Sequence, residues 1–289
     1  MIIHILIKWY QYKEKETYIT KMEKDLMNSE CRWKLRDWIP IDKLNWEYLS
    51  GNPNTLFLLE SNFDKIKWYM LSVNQNPLAI HILHKNMDLI DWEYLSENPS
   101  AMHLLEENPT QIEWIYLSSN PSAISLLEKN LDKIDWQYLS KNPSAIHFLE
   151  NNPHHIDWDM LSRNKSAIHL LEANPDKINW ENLSINPSAI HLLEQTPDYI
   201  DWHHLSFNPS AMHLLKENID KIYWPGLSQN PSAIHLLQQN QNKIKWNLLS
   251  SNPEIFELDY DFLQKRMDII REELIEKAWH PSRFDKWCL

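Results

Sequence analysis

Apolar residues along this chain recur in a fixed phrase, Trp-x-x-Leu-Ser. Its tryptophans fall at Trp46, Trp68, Trp92, Trp114, Trp136, Trp158, Trp180, Trp202, Trp224 and Trp246. The step is 22 residues throughout, except for 24 between Trp68 and Trp92. The two extra residues sit within Val73-Asn74-Gln75-Asn76, a predicted loop, where insertion is tolerated. The full unit reads W-x-x-L-S-x-N-P-S-A-I-H-L-L-E-x-N-x-D-K-I-D. In the copy from Trp136 to Asp157, Asp135 can cap a short helix by accepting from exposed backbone N–H groups. Trp136 and Leu139 share one face of that helix. Asn142-Pro143 then opens a second helix, Asn as cap and Pro at the first helical position, where its missing N–H is not needed. Ala145, Ile146, Phe148 and Leu149 form its apolar stripe. Asn152 is expected to end it in the left-handed conformation, and Pro153 blocks continuation.

A strand reading fails on three counts. The apolar spacing is three and four rather than two, Pro would interrupt the ladder in nearly every copy, and the core run Ser-Ala-Ile-His-Leu-Leu-Glu is poor in β-branched residues. One helix pair cannot bury its apolar face alone, but stacked pairs can. The predicted fold is therefore all-α, an α-solenoid of ten short helix-turn-helix repeats with N- and C-terminal capping segments. At helix spacings of about 8–10 Å, ten units would make a rod or arc of about 90 Å. The organisation reads as an N-terminal extension (1–21), with Met22 as a second candidate start of translation, a capping segment (22–45), the array (46–257) and a C-terminal capping helix and tail (258–289). Met22–Asp37 is expected to be helical, with Trp33 and Trp38 packed on the first repeat. A charged helix is expected from about Asp261 to Lys277.

Composition narrows the function classes. Two glycines in 289 residues leave no room for a Gly-rich phosphate loop. No Gly-x-Ser-x-Gly or His-Glu-x-x-His occurs, so no catalytic role and no cofactor are expected. A net charge of −12 is repelled by phosphate backbones and anionic membranes. It excludes nucleic acid and membrane as partners and favours a basic protein surface or peptide. The apolar start, Met1 to Tyr10, is too short to span a bilayer and lacks a signal-peptide cleavage site, so the protein is expected not to be secreted. Cys31 and Cys288 form neither a disulfide framework nor a zinc spacing and are expected to be reduced.

The recurring W-x-x-L-S-x-N-P-S-A-I-H-L-L-E unit resembles tandem-repeat proteins of uncharacterised function in giant nucleocytoplasmic DNA viruses of protists. The closing Ala278-Trp279-His280-Pro281-Ser282-Arg283 is similar to a tail on many such proteins. The resemblance implies expression in an infected host cell, in host cytoplasm or viral factory, and transfers no catalytic residue. Repeat 6 departs from the pattern at Lys165 and repeat 7 at Thr196.

Three columns invite chemistry. His81, His103, His147, His169, His191, His213 and His235 stand in phase, broken by Phe57 and Ser125. Members one repeat apart are too widely spaced to share an ion, so they are expected to be partly buried structural groups hydrogen-bonded to neighbouring loops, and no metal is expected. The Trp column is expected to pack the core. The Asn-Pro column is explained by capping. The pairs His154-His155 and His203-His204 are neighbours in sequence, which do not face each other on a helix, and give no site signal. What remains is the variation between copies, which clusters at Ile185, His203, His204, Phe207, Tyr223, Pro225 and Gly226. An exposed aromatic patch on one solenoid face is a candidate hot spot for a protein partner. The expected function is a monomeric, non-catalytic protein-binding scaffold. The alternative is a structural component of virion or viral factory that self-associates through its ends.

Overall fold

A computed structural model describes residues 33–278. The extension 1–21, residues 22–32 of the capping segment, both cysteines and the tail beyond Ala278 lie outside the described residues. The chain divides into two compact units. Leu35–Phe256 holds the repeats, and the described parts of the second are 33–34 and 257–278.

Every repeat begins with one short helix on the Trp phrase, for example Trp136–Ser140, and all but the tenth carry a second on the His phrase, such as Ile146–Asn151. A 3-10 turn such as Pro153–His155 leads to the next unit. Helices of one turn are marginal in water on their own, so the packing between units holds them. The caps form as expected: Asp135 accepts from the Tyr138 N–H at 2.9 Å, and Asn142 Oδ1 from the Ser144 N–H at 2.9 Å. The left-handed helix end does not form, since no residue other than glycine has positive φ among the described residues. Asn152 sits at φ −135°, and its amide instead donates back to the Phe148 carbonyl at 2.9 Å. The two-residue insertion does fall in a loop, where Asn74 keeps its place in the framework and Asn76 caps the following helix.

Three columns make the dry core. The Leu of the Trp phrase is fully buried in all ten units, from Leu49 to Leu249. The second Leu of the His phrase is fully buried from Leu59 to Leu237, and the Ala position from Ala79 to Ala233. Burying each leucine contributes about 1.5–3 kcal/mol. The tryptophans are only half-buried, which corrects the expectation that they form the core. In six units a lysine ammonium from the following 3-10 turn lies over the ring, as Lys133 does over Trp114 at 4.4 Å. In two others the same place is taken by His155, stacked 4.3 Å from Trp136, and Tyr199, stacked 4.8 Å from Trp180.

Buried polar side chains tie each unit to the next. The Ser of the Trp phrase donates to the Trp carbonyl four residues back and accepts from the cap N–H of the following repeat: Ser118 donates to the Trp114 carbonyl and accepts from the Asp135 N–H. The Asn that caps the second helix has a further duty that capping does not explain. Its Nδ2 donates to two carbonyls of the preceding repeat: Asn142 reaches Ser118 at 2.9 Å and Asn120 at 2.9 Å. Each such Asn is at most 2% exposed, so burial without those partners would be costly.

The same bonds join the tenth repeat to the first. Asn52 Nδ2 donates to the carbonyls of Ser250 at 3.0 Å and Asn252 at 2.9 Å. Ser250 Oγ accepts from the Asn45 N–H at 2.8 Å. The ladder therefore has ten rungs and no end, and residues 35–256 form a closed ring. This corrects the expected open rod or arc: each unit turns by an average of one tenth of a circle, and the two end repeats meet.

The closing unit is composite. The tenth repeat keeps a 3-10 turn at Pro253–Ile255 but stops after Phe256, without a second helix or the closing 3-10 turn that leads to a next unit. The turn comes instead from Ile41–Lys43, which carries Lys43 over Trp246 at 4.7 Å, as the other lysines lie over their tryptophans. Trp38 meets the tenth repeat, with ring centroids 6.4 Å from Trp246. The second helix is replaced by a two-stranded sheet of β1 (Trp33–Leu35) and β2 (Phe256–Leu258). Trp33–Leu35 are therefore strand where helix was expected. The Arg36 N–H donates to the Ile255 carbonyl at 3.0 Å and Lys34 pairs with Glu257 at 3.5 Å, so the strands run in opposite directions. Phe57, which breaks the His column, meets Phe256 edge-on at 5.4 Å, so this departure belongs to the seam.

In the second unit, Asp259 caps the helix Tyr260–Ala278 by accepting from the Phe262 N–H at 3.1 Å. Among the described residues no helix is long and apolar enough to cross a membrane.

Candidate interaction surface

With the framework fixed by the Leu, Ala, Ser and Asn columns, the remaining positions are free to vary. One variable column precedes each ladder Asn. Lys141 Nζ reaches Glu97 Oε1, two repeats back, at 2.8 Å, and Ser119 between them donates to the same carboxylate at 3.2 Å. Two repeat widths at ordinary helix spacing span about 16–20 Å, beyond the combined reach of Lys and Glu. The repeats crowd together here, so this column lines the inner rim of the ring. Ile185 and Phe207 belong to it.

Of the expected exposed patch, Phe207 and Ile185 are half-buried. The Phe207 ring fills the notch left by Gly226 of the next repeat: a Cβ on Gly226 would lie 2.7 Å from Phe207 Cε2. The two departures compensate each other. Gly226→Ala should therefore cost about 1–3 kcal/mol by overpacking. In a Phe207→Ser background the same change should be neutral or stabilising, since Ala favours a helix over Gly by about 0.5–1 kcal/mol. A double-mutant cycle in urea checks this, and a Gly226→Ala effect of the same sign in both backgrounds would contradict the packing.

Around that pair, His203 lies 3.9 Å from the Tyr223 ring and 5.9 Å from Phe207. His203 and Tyr223 are exposed, and Pro225 is half-buried. Thus His203, Phe207 and Tyr223 come together with His204 beside them at a ring distance of 5.1 Å. Ile185 belongs to the preceding repeat.

His203 and His204 also converge where helical adjacency argued against it. Asp201, His203 and His204 present ligand atoms that all lie within 4.8 Å of one another. His204 Nδ1 is 2.9 Å from Asp201 Oδ1, and its other nitrogen lies 3.5 Å from Glu181 Oε1. Burial pushes the Asp201 carboxyl up, but the His204 backbone N–H and imidazole outweigh it, and the net pKa is lowered. A lowered carboxyl contributes stability above its unfolded value and loses it as pH falls through the folded one. Removing the His204 ring should flatten that acid limb.

Six of the seven His-column residues are exposed and His81 is half-buried; four of them pair with side chains rather than loops. His147, His169, His191 and His213 each face the Glu of the preceding repeat, Glu128, Glu150, Glu172 and Glu194, at 3.8, 2.9, 3.0 and 2.7 Å. These groups are about half exposed, so each pair contributes little. Phenols also bridge units. A hydrogen bond to Glu47, with some desolvation and charge repulsion, pushes Tyr69 up to about 12, and Glu93 raises Tyr116 in the same way.

No family model, curated protein or solved structure matches this chain. The reading of function rests on the ring itself.

Proposed function

We propose that the ring is a non-catalytic protein-binding scaffold, a viral protein engaging host or viral proteins in infected cytoplasm or the viral factory. One observation carries it. Fixed and free positions are separated, with the repeated Ser and Asn satisfied inside the framework and varied positions, such as the column before each ladder Asn, presented on the rim. Repeat scaffolds bind through such surfaces. The net charge of −12 favours a basic protein partner over nucleic acid. The group His203, Tyr223 and Phe207 on repeats 8 and 9 is the proposed anchor, since aromatic residues dominate interface energetics. Self-association of open ends, the alternative route to a structural role, loses its support because the closed ladder leaves no unpaired repeat end.

The test is recovery of the tagged protein from infected cells, followed by mass spectrometry and repetition with Tyr223→Ser and His203→Ser. A stoichiometric protein that is lost with the substituted ring supports the scaffold. Recovery of the ring alone, or with capsid components only, overturns it in favour of a structural role.

A further inference from the structure

The geometry points to a divalent transition-metal site on repeat 8, formed by the Asp201 carboxylate and the imidazoles of His203 and His204. The three ligand atoms already lie within 4.8 Å of one another. Two donors each about 2.0–2.2 Å from one ion stand about 3 Å apart when they subtend a right angle. Asp201 Oδ1 and His204 Nδ1 are 2.9 Å apart. That bite suits the tetragonal N,O coordination favoured by Cu(II) and Ni(II).

The surroundings support the same assignment. His204 Nε2 faces Glu181 Oε1 of the preceding repeat at 3.5 Å. Without an ion, Nδ1 donates to Asp201; an ion would displace that proton, and the Glu181 carboxylate stands near the far nitrogen, where a metal-bound imidazole carries its N–H. The Tyr223 ring, 3.9 Å from His203, restricts that imidazole, and His203 is exposed, so an ion has access. Asp201 accepts the His204 N–H at 2.8 Å as a cap. A carboxylate has about four lone-pair sites, enough to cap and to bind.

The set occurs in one repeat only. Asp91, Asp135 and Asp157 are the equivalent acidic caps, but they precede Glu93-Tyr94, Gln137-Tyr138 and Asp159-Met160, with no imidazole. In the other His pair, His155 is stacked on Trp136 at 4.3 Å, and no other such three-ligand group occurs among the described residues. The His column offers at most one imidazole per repeat.

Titration of the untagged full chain with Ni(II), followed by calorimetry at neutral pH, tests the site. The expected result is one equivalent bound, with affinity falling at least tenfold in His203→Ala and in His204→Ala, and unchanged in His191→Ala. Asp201→Asn, which keeps the cap oxygen but not the charge, should weaken binding while the variant remains folded. Circular dichroism confirms that each variant is folded. Absence of stoichiometric binding, or binding that survives both His203→Ala and His204→Ala, overturns the proposal. Failure of this site leaves the scaffold reading intact, because that reading is judged by partner recovery.

Discussion

Asn52→Leu should destabilise the protein as much as Asn142→Leu, by about 2–4 kcal/mol each. Both substitutions remove an amide that donates to two buried carbonyls, Asn52 to Ser250 and Asn252, Asn142 to Ser118 and Asn120. Both strip a following backbone N–H of its acceptor, that of Asn54 or of Ser144. In an open solenoid Asn52 would belong to the first repeat, its amide would face water, and the change would cost only the local cap, about 1 kcal/mol. The expected equality is thus specific to a ring. Urea unfolding at constant m reads it, and an Asn52→Leu effect under about 1 kcal/mol, the scale of a surface substitution, would contradict closure.

Excision of one whole unit, Trp136–Asp157, should have a larger effect than loss of one tenth of the stability. A linear array tolerates removal of an interior repeat, because each unit contacts only its neighbours and the new neighbours present the same faces. A ring of nine must either bend every junction further or leave its seam open. The seam holds the two Asn52 bonds, the Ser250 bond, the Asn54 amide to the Pro253 carbonyl and the Arg36–Ile255 bond. At about 1 kcal/mol for each net hydrogen bond, an open seam forfeits about 5 kcal/mol. That corresponds to a fall of roughly 10–20 °C in melting temperature for a domain of this size. Exposed ladder carbonyls should also drive pairing between copies, visible as a concentration-dependent size. A monomeric nine-repeat chain that melts within a few degrees of the parent would show that closure does not bear on stability.

The repeat, its caps and its helical character were legible because a 22-residue period repeats the same local chemistry many times. Closure was not, because it depends on a small rotation at each junction that no local pattern encodes. A signal was present nonetheless. Ile41-Asp42-Lys43-Leu44-Asn45 is the closing phrase of a unit with no unit before it, and the tenth repeat lacks that phrase. The two pieces are halves of one unit held at opposite ends of the chain. The ladder Asn shows why half of a side chain's role can be invisible. Its Oδ1 acts within three residues, so capping was readable, while its Nδ2 acts across 22–24 residues. At the candidate surface, the coincidence of Phe207 with Gly226 was readable as a departure. Only the packing shows that one compensates the other, and only the turn geometry brings Asp201 against His204.

The most direct test of closure is a distance across the seam. Asp42 and Asn242 occupy equivalent places in adjacent turns of the ring, as Asp198 and Asp220 do elsewhere, and all four are exposed. Nitroxides attached at each pair, with Cys31 and Cys288 replaced by Ser, report spacing through dipolar broadening. The ring requires the same short separation for both pairs, near the neighbour spacing of about 8–10 Å plus the label arms. Broadening at Asp198 and Asp220 with none at Asp42 and Asn242 would mean that the array is open.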